Sequence, residues 1–239
     1  MHRSGLCVAL VALFVVPLVA SPPASAASTL SFAGQTWTVK SDAGGPGPNA
    51  FSASNAFVDS SGALHLKITR VQGTWRSAEV ISTASHGFGH YQYAVEGALG
   101  SMDRYVSVGL FGYLGPDGSN EVDVELARFG AAGAPVGSFS VYPPMVAPGP
   151  ASTAFAIPSS TRTAVFDVDW SATSVVFHAT DTTGGGSRPL GSWTYAPPDP
   201  ASHIPQVPMP VYLNLWLFHG HRPSDGRPAE IVVRSVTTP

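Results

Sequence analysis

The sequence predicts an all-β protein with the architecture of a β-sandwich or a β-barrel. Short runs of alternating apolar and polar residues recur along the chain, between glycine, proline, aspartate and serine residues. An apolar period of two is the pattern of a half-buried strand, and about a dozen such runs at short spacing are typical of sandwiches and barrels. No segment of the sequence has the apolar spacing of an amphipathic helix of three turns.

Four runs predict strands most clearly. Residues 64–69 (Leu-His-Leu-Lys-Ile-Thr) alternate throughout, and so do residues 164–170, which end in a tryptophan. Residues 212–217 and 230–236 are predicted as two further strands. Because successive side chains of a strand point to opposite faces, each run can bury one face and expose the other.

Three stretches rich in glycine and proline are predicted as loops of the same domain: 42–49, 143–158 and 196–210. They do not separate regions of different composition, so they do not indicate linkers between domains. The three glycines at 184–186 are predicted at the tip of a hairpin. A phosphate-binding loop would require a strand before them and a helix after them, and the sequence predicts no helix there.

The first 27 residues (1–27) are predicted to be a secretory signal peptide. A basic start is followed by an apolar run over positions 6–20 and then by small residues with an Ala-x-Ala pattern. The alternative is an uncleaved membrane anchor, but the run is short and Pro17 interrupts it, whereas spanning takes about 20 residues. Residues 28–239 are then predicted to form a single secreted, extracellular domain. It would lack cysteine, because Cys7 belongs to the signal peptide.

The charge of the chain excludes some classes of partner. With 12 basic and 15 acidic residues, the formal net charge is −3. The sequence has no basic cluster that could neutralise a phosphate backbone, so we expect no nucleic-acid partner. No second apolar run approaches spanning length, so we expect no membrane association after signal cleavage. We expect the protein to be a monomer.

Metal and cofactor chemistry has little support in the sequence. His86 and His90, and likewise His219 and His221, could place two imidazoles on one strand face. No carboxylate stands beside either pair in sequence, so we interpret them as surface histidines. We expect no cofactor. A structural calcium ion stays open as an alternative without a supporting motif, because residues 117–120 resemble a calcium loop only weakly.

Three carboxylates alternate with apolar residues over 121–126, in a protein of which only 11% of residues are charged. On a strand, Glu121, Asp123 and Glu125 share one face, and the apolar residues share the other. A solvated edge strand is one explanation, although like charges in a row repel each other. Such crowding raises the proton affinity of at least one member. Glycoside hydrolysis requires one ionised and one protonated carboxyl, so the run is a candidate catalytic site.

This segment also resembles a known family. Glu-Val-Asp-Val-Glu at 121–125 is similar to the Glu-hydrophobic-Asp-hydrophobic-Glu motif of the laminarinase- and licheninase-like glycoside hydrolases of family 16. Further segments at 78–82, 86–91, 108–113 and 213–216 resemble that family in the same order. The resemblance, to a divergent secreted bacterial member, implies a concanavalin A-like jelly-roll β-sandwich. Its two antiparallel sheets would carry a carbohydrate-binding groove.

The resemblance implies a role for each carboxylate. Glu121 would be the nucleophile, Glu125 the acid/base, and Asp123 would hydrogen-bond the nucleophile in a retaining double displacement. The two glutamates would have to lean toward each other, because Cα atoms four residues apart on a strand lie about 13 Å apart, whereas retaining carboxyls lie about 5–5.5 Å apart. The implied activity is that of a secreted endo-type hydrolase of β-linked polysaccharide such as β-glucan. A transglycosylase of the same site and a non-hydrolytic carbohydrate-binding sandwich stay open as alternatives.

The resemblance also implies substrate-binding residues, namely Glu79, Phe111, Asn214 and Trp216. On the strand predicted over 212–217, Asn214 and Trp216 share a face, which suits an amide and an indole presented to a sugar.

Two departures from the family pattern affect the expected sugar contacts. Family enzymes often carry a tryptophan two residues before the nucleophile and an arginine two residues after the groove glutamate. Here these positions hold Ser119 and Ile81. A stacking platform and a polar clamp are therefore expected to be missing, which favours the binding-protein alternative.

Overall fold

The protein is described by a computed structural model that covers residues 28–133, 136–147 and 149–239. The predicted signal peptide over residues 1–27 lies outside the described residues, and secretion stays a prediction. Within the described part of the chain, no helix is long and apolar enough to cross a membrane.

The described residues form eighteen strands and five short 3₁₀ turns. In chain order, the strands are β1 (Ser28–Phe32), β2 (Gln35–Val39), β3 (Ala43–Gly44), β4 (Asn49–Ala50), β5 (Ala56–Val58), β6 (Leu64–Val71), β7 (Thr74–Arg76), β8 (Ala78–His86), β9 (Gly89–Gly97), β10 (Val106–Tyr113), β11 (Glu121–Leu126), β12 (Gly137–Tyr142), β13 (Ala151–Phe155), β14 (Thr163–Trp170), β15 (Val175–Asp181), β16 (Arg188–Tyr195), β17 (Met209–Leu217) and β18 (Ala229–Thr237). The 3₁₀ turns are Ala53–Asn55, Leu99–Ser101, Thr183–Gly185, Pro200–Ser202 and Phe218–Gly220.

Two large antiparallel sheets make up the fold, which confirms the predicted jelly-roll β-sandwich. The first sheet has the order β1-β2-β8-β17-β10-β11-β12-β13, and we call it the groove sheet. The second, the outer sheet, has the order β16-β15-β14-β9-β18-β6-β5, with β7 paired to β6. Buried side chains of both sheets form one core, among them Leu66 and Phe166 of the outer sheet and Val124 and Leu213 of the groove sheet.

The strands predicted from alternation are confirmed. Residues 64–69 lie in β6, 164–170 in β14, 212–217 in β17 and 230–236 in β18. The glycines at 184–186 lie in the turn that joins β15 to β16, two antiparallel neighbours, so the hairpin prediction is also confirmed.

Two of the predicted loops contain strands instead, and the third, 196–210, overlaps the first two residues of β17. The stretch 143–158 includes β13, which pairs with β12 at the edge of the groove sheet. The stretch 42–49 includes most of the small β3–β4 hairpin. Neither piece has a strong apolar alternation. β13 is held by backbone pairing with β12 and by the ring of Phe155, whose centroid lies 4.5 Å from that of Phe139. A sequence pattern based on side chains does not detect such strands.

Candidate active site

The three acids lie on β11, in the interior of the groove sheet. This strand pairs with β10 on one side and with β12 on the other. Its apolar residues are buried in the core between the sheets, as the alternation predicts. Glu121, Asp123 and Glu125 therefore share the opposite face, and the middle acid is only 6% exposed. The arrangement excludes a solvated edge strand.

Two adjoining cavities form a groove across this face. The larger has a volume of about 530 Å³ and the smaller about 280 Å³. Glu121 lines both cavities, whereas Asp123 and Glu125 line the smaller one. Phe111 and Tyr142 also belong to both, so the cavities join at the first acid of β11. Cavities of this size are typical of small-molecule binding sites.

Burial and mutual repulsion raise the pKa values of all three acids. Burial is the largest cause of the raised pKa of Glu121, and the charges of Glu125 and Asp117 raise this pKa further. Burial raises the pKa of Asp123, and the charges of both neighbouring glutamates add to this effect. Burial also raises the pKa of Glu125. The three groups titrate together, so near neutral pH the cluster holds fewer than three negative charges.

The three carboxylates are not held by partners of the protein itself. Within the described residues, no hydrogen bond joins any of them to a neighbouring group, and the bond from Asp123 to Glu121 that the resemblance implies is not formed. Tyr142 lies directly across from Glu121 on β12. Burial and the charges of the acids raise the pKa of Tyr142 to about 12, so its hydroxyl stays protonated beside them.

Glu79 and Asn214 lie in the floor of the groove and are hydrogen-bonded to each other. The side-chain nitrogen of Asn214 donates to Glu79 Oε2 at 3.0 Å. The side-chain oxygen of Asn214 accepts a hydrogen bond from the backbone N–H of Gly109 at 2.8 Å. Lys40 Nζ lies 3.2 Å from Glu79 Oε1. Glu79 is 2% exposed and Asn214 1% exposed. Burial raises the pKa of Glu79, and hydrogen bonding by Asn214 and the charge of Lys40 oppose this rise.

Aromatic side chains form the walls of the groove. Phe111 stacks on Tyr212 with ring centroids 5.1 Å apart, and Tyr113 meets Tyr212 edge-on at 5.7 Å. These three rings line the larger cavity. Trp216 is half-buried and lines the smaller cavity beside Glu125. The groove therefore has an aromatic surface on each side of Glu121.

Solved structures share this architecture. The β-glucanase of Bacillus licheniformis is 21% identical, with 84% of this chain and 90% of that chain covered at a TM-score of 0.62. A family 16 glycosyl hydrolase of Mycobacterium smegmatis is also 21% identical, with 84% and 90% covered at a TM-score of 0.61. The chain has the β-sandwich fold of the family 16 glycoside hydrolases. An immunostimulatory antigen and pseudo β-1,3-glucanase of Mycobacterium tuberculosis is 18% identical, with 85% and 91% covered at a TM-score of 0.64. No protein-family model and no curated protein matches the sequence.

The two departures from the family 16 pattern have different structural consequences. Ser119 is buried, and its hydroxyl donates to the Pro116 carbonyl at 2.8 Å, so it closes a turn and does not line the groove. Asn120 follows with a φ of 43°, which turns the chain into β11. Ile81 lines the larger cavity directly beside Tyr212. An apolar side chain thus takes the position of the family 16 arginine.

Several groove residues were not predicted from the sequence. Pro46, from the segment predicted as a loop, lines both cavities. Lys40 and Tyr142 come from strands or strand ends that carry no family motif, whereas Tyr212 directly precedes the motif at 213–216 in β17. A signal existed for Tyr212, since it precedes Asn214 by two residues and must share its face of β17. The others required knowledge of which strands become neighbours.

Neither histidine pair lies on one strand face: His219 is in the 3₁₀ turn Phe218–Gly220 and His221 follows that turn. His86 ends β8 and bonds Gln35 Oε1 at 3.0 Å, whereas His90 is in β9 and bonds Asp169 Oδ1 at 2.9 Å. Over the ranges that the structure describes, no three His, Cys, Asp or Glu side chains are grouped so that they could hold a metal ion.

Proposed function

We propose that the chain is a divergent family 16 glycoside hydrolase that cleaves β-linked polysaccharide, such as a β-glucan, with retention of configuration. One observation carries the proposal: three carboxylates, the middle one buried and the outer two half-buried, share one face of β11 where the two cavities of the groove meet. Carboxyls that are desolvated and lack partners destabilise a fold, and acid–base chemistry at a glycosidic bond requires them.

In the first step, the carboxylate of Glu121 attacks the anomeric carbon of the sugar that lies above it. The bond from that carbon to the leaving oxygen breaks, and the carboxylic acid of Glu125 donates its proton to this oxygen. Burial raises the pKa values of both glutamates, so the pair holds a proton near neutral pH, and the reactive state is the one in which this proton is on Glu125 and Glu121 is ionised. The products are a glycosyl ester on Glu121 and a released chain with a free hydroxyl.

In the second step, the carboxylate of Glu125 removes a proton from water, and the water oxygen attacks the anomeric carbon. The ester bond to Glu121 breaks, and both glutamates return to their first states. Two inversions at one carbon give retention. Asp123 lies between them, and its raised pKa lets it keep a proton that it can donate to the Glu121 carboxylate.

A second candidate function is polysaccharide binding without hydrolysis. Ile81 and Ser119 replace the arginine and tryptophan of the family pattern, and a neighbour of the same fold is described as a pseudo β-1,3-glucanase. The three carboxylates favour the hydrolase, because a binding groove needs no desolvated acids. Water and a sugar acceptor could both resolve the ester on Glu121, so transglycosylation uses the same site.

The proposal includes export of the protein. It is supported by the pattern of residues 1–27, with a basic start, an apolar middle and small residues at the end. Amino-terminal sequencing of protein recovered from the culture medium should begin near residue 28. Recovery of the full-length chain in the cell membrane would contradict export.

The test of hydrolysis is the release of reducing ends from lichenan, laminarin, xyloglucan and agarose. We expect the wild-type protein to cleave at least one β-glucan, and Glu121→Gln to be slower by about a thousandfold or more, because no nucleophile remains. A 2-deoxy-2-fluoro glycoside should label Glu121, which peptide mass spectrometry can detect.

Glu96→Gln is the matched control, since Glu96 pairs with Arg234 on the outer sheet, far from the groove. It should retain wild-type activity. If the wild-type protein releases no reducing ends but is retained on a polysaccharide column, the hydrolase proposal is wrong and the binding function replaces it.

A further inference from the structure

Lys40 is a cation at the wall of the groove. It follows the last residue of β2, and its backbone N–H donates to the backbone carbonyl of Glu79 in β8 at 3.0 Å. Its Nζ atom lies 3.2 Å from Glu79 Oε1, and the two side chains are 20% and 3% exposed. Lys40 lines the larger cavity. The ammonium group is therefore anchored on one side and open to the groove on the other.

The contacts of this ammonium leave one donor for a ligand. A lysine has three N–H donors. One is directed to Glu79 Oε1, and a second donates to the Gly45 carbonyl at 2.7 Å. The ring of buried Phe51 lies 4.7 Å from Nζ and stabilises the charge from below. The third N–H has no acceptor among the described residues, and the cavity is the space left to it.

The bond to Gly45 also connects Lys40 to the wall of the groove. Gly45, Pro46 and Gly47 line the larger cavity, and Pro46 lines the smaller one as well. Among the described residues that line the two cavities, Lys40 is the single cation, because Ile81 occupies the position of the family arginine.

We propose that Lys40 is a specificity-determining residue that donates a hydrogen bond to a hydroxyl of an uncharged sugar, on the larger-cavity side of Glu121. The inference rests on the proposed function. An uncharged sugar is favoured because Glu79, Asp117 and Glu121 surround this single cation and would repel an anionic polysaccharide. By holding Gly45, the same ammonium also fixes the wall against which that sugar packs.

The test compares Glu79→Gln with the double variant Lys40→Met/Glu79→Gln on the polysaccharide that the wild-type protein cleaves. Both variants are neutral at position 79, so the loss of Lys40 in the double variant does not leave the buried carboxylate of Glu79 without a partner. We expect the double variant to raise KM about tenfold over Glu79→Gln, with kcat changed less than about threefold, because a charged hydrogen bond is lost. Lys40→Arg/Glu79→Gln should recover most of the loss. Lys67→Met, on the outer sheet, should leave KM unchanged.

Equal KM values for Glu79→Gln and the double variant would overturn the inference for Lys40 and leave the hydrolase proposal intact. If the double variant is less thermally stable than Glu79→Gln but has the same KM, the inference for Lys40 is also wrong. If the wild-type protein binds but does not hydrolyse, the hydrolase proposal fails alone. The same pair of substitutions, made in Glu121→Gln, is then compared by calorimetry with a β-gluco-oligosaccharide, where about tenfold weaker binding supports the role of Lys40. Unchanged binding in that assay overturns it.

Discussion

Some polar side chains of the groove have hydrogen-bond partners within the protein, and others have none among the described residues. Glu79 and Asn214 bond each other, and their remaining contacts go to Lys40 and to a backbone N–H. Glu121 and Glu125 accept no hydrogen bond within the described structure. Both are half-buried on the groove face of β11, so their oxygens are open to a substrate.

Tyr212 is expected to contribute to sugar binding through its ring. It stacks on Phe111 at 5.1 Å within the larger cavity, where the family pattern would place a polar clamp. Removing the ring in Tyr212→Ala should raise KM about three- to tenfold, because aromatic contacts of this kind contribute about 0.5–1.5 kcal/mol. Tyr212→Phe should retain most of the affinity. Steady-state kinetics on the preferred polysaccharide measures both.

Tyr195→Ala provides the control for this substitution. Tyr195 stacks on Trp193 at 5.2 Å, but in the outer sheet. The Tyr195→Ala substitution should leave KM at the wild-type value. A KM for Tyr212→Ala that equals that of Tyr195→Ala would contradict a role for Tyr212 in the groove.

At the scale of the strand, the groove floor depends on a glycine in β10. Gly109 lies between Glu125 of β11 and Asn214 of β17 in the register of the groove sheet. A Cβ atom there would lie 2.6 Å from Asn214 Oδ1 and 2.9 Å from the ring of Phe111. The missing side chain is what lets the amide of Asn214 reach back to the backbone of β10.

Gly109→Ala should therefore destabilise the protein by about 1–3 kcal/mol through overpacking, and should lower activity by moving Asn214 and Phe111. Urea denaturation measures the free energy of unfolding. Gly133→Ala is the control, since a Cβ at Gly133 would contact nothing within 4 Å. If Gly109→Ala and Gly133→Ala are equally stable, a Cβ atom at position 109 is accommodated in the groove floor, and the overpacking argument is wrong.

Alternation was enough to predict the strands that pack into the core, but not their neighbours. β6, β14, β17 and β18 were predicted because one face of each is buried. β13 was missed because backbone pairing at a sheet edge leaves little trace in side-chain pattern. The acids of β11 were assigned to one face correctly, since a strand requires it. The contacts of Lys40 depend on the pairing of β2 with β8, which a local pattern cannot specify.

At the scale of the whole molecule, the acidic groups fall into two populations with opposite effects on stability. Hydrogen bonds from Ser61 and His65 lower the pKa of Asp59, and those from Thr183 and Arg188 lower the pKa of Asp181. Such groups stabilise the fold above the ordinary carboxyl range and lose this effect as the pH falls through it. Burial raises the pKa values of the three acids on β11, so the folded state binds more protons than the unfolded state.

The free energy of unfolding should therefore be highest near about pH 4–5, where the paired aspartates are ionised and the acids of β11 still keep their protons. Above this range, stability should fall until the pH passes the raised pKa values, because ionisation of the cluster is easier in the unfolded chain. The triple variant Glu121→Gln/Asp123→Asn/Glu125→Gln should lose most of this alkaline decline and keep the acidic one, while Glu79 and His65, whose pKa values are also raised, leave a smaller decline. Thermal melts from pH 3 to pH 9 test both limbs. An alkaline decline of equal size in the triple variant would mean that the cluster is not its cause, since the acids that the substitutions remove are the only difference between the two proteins.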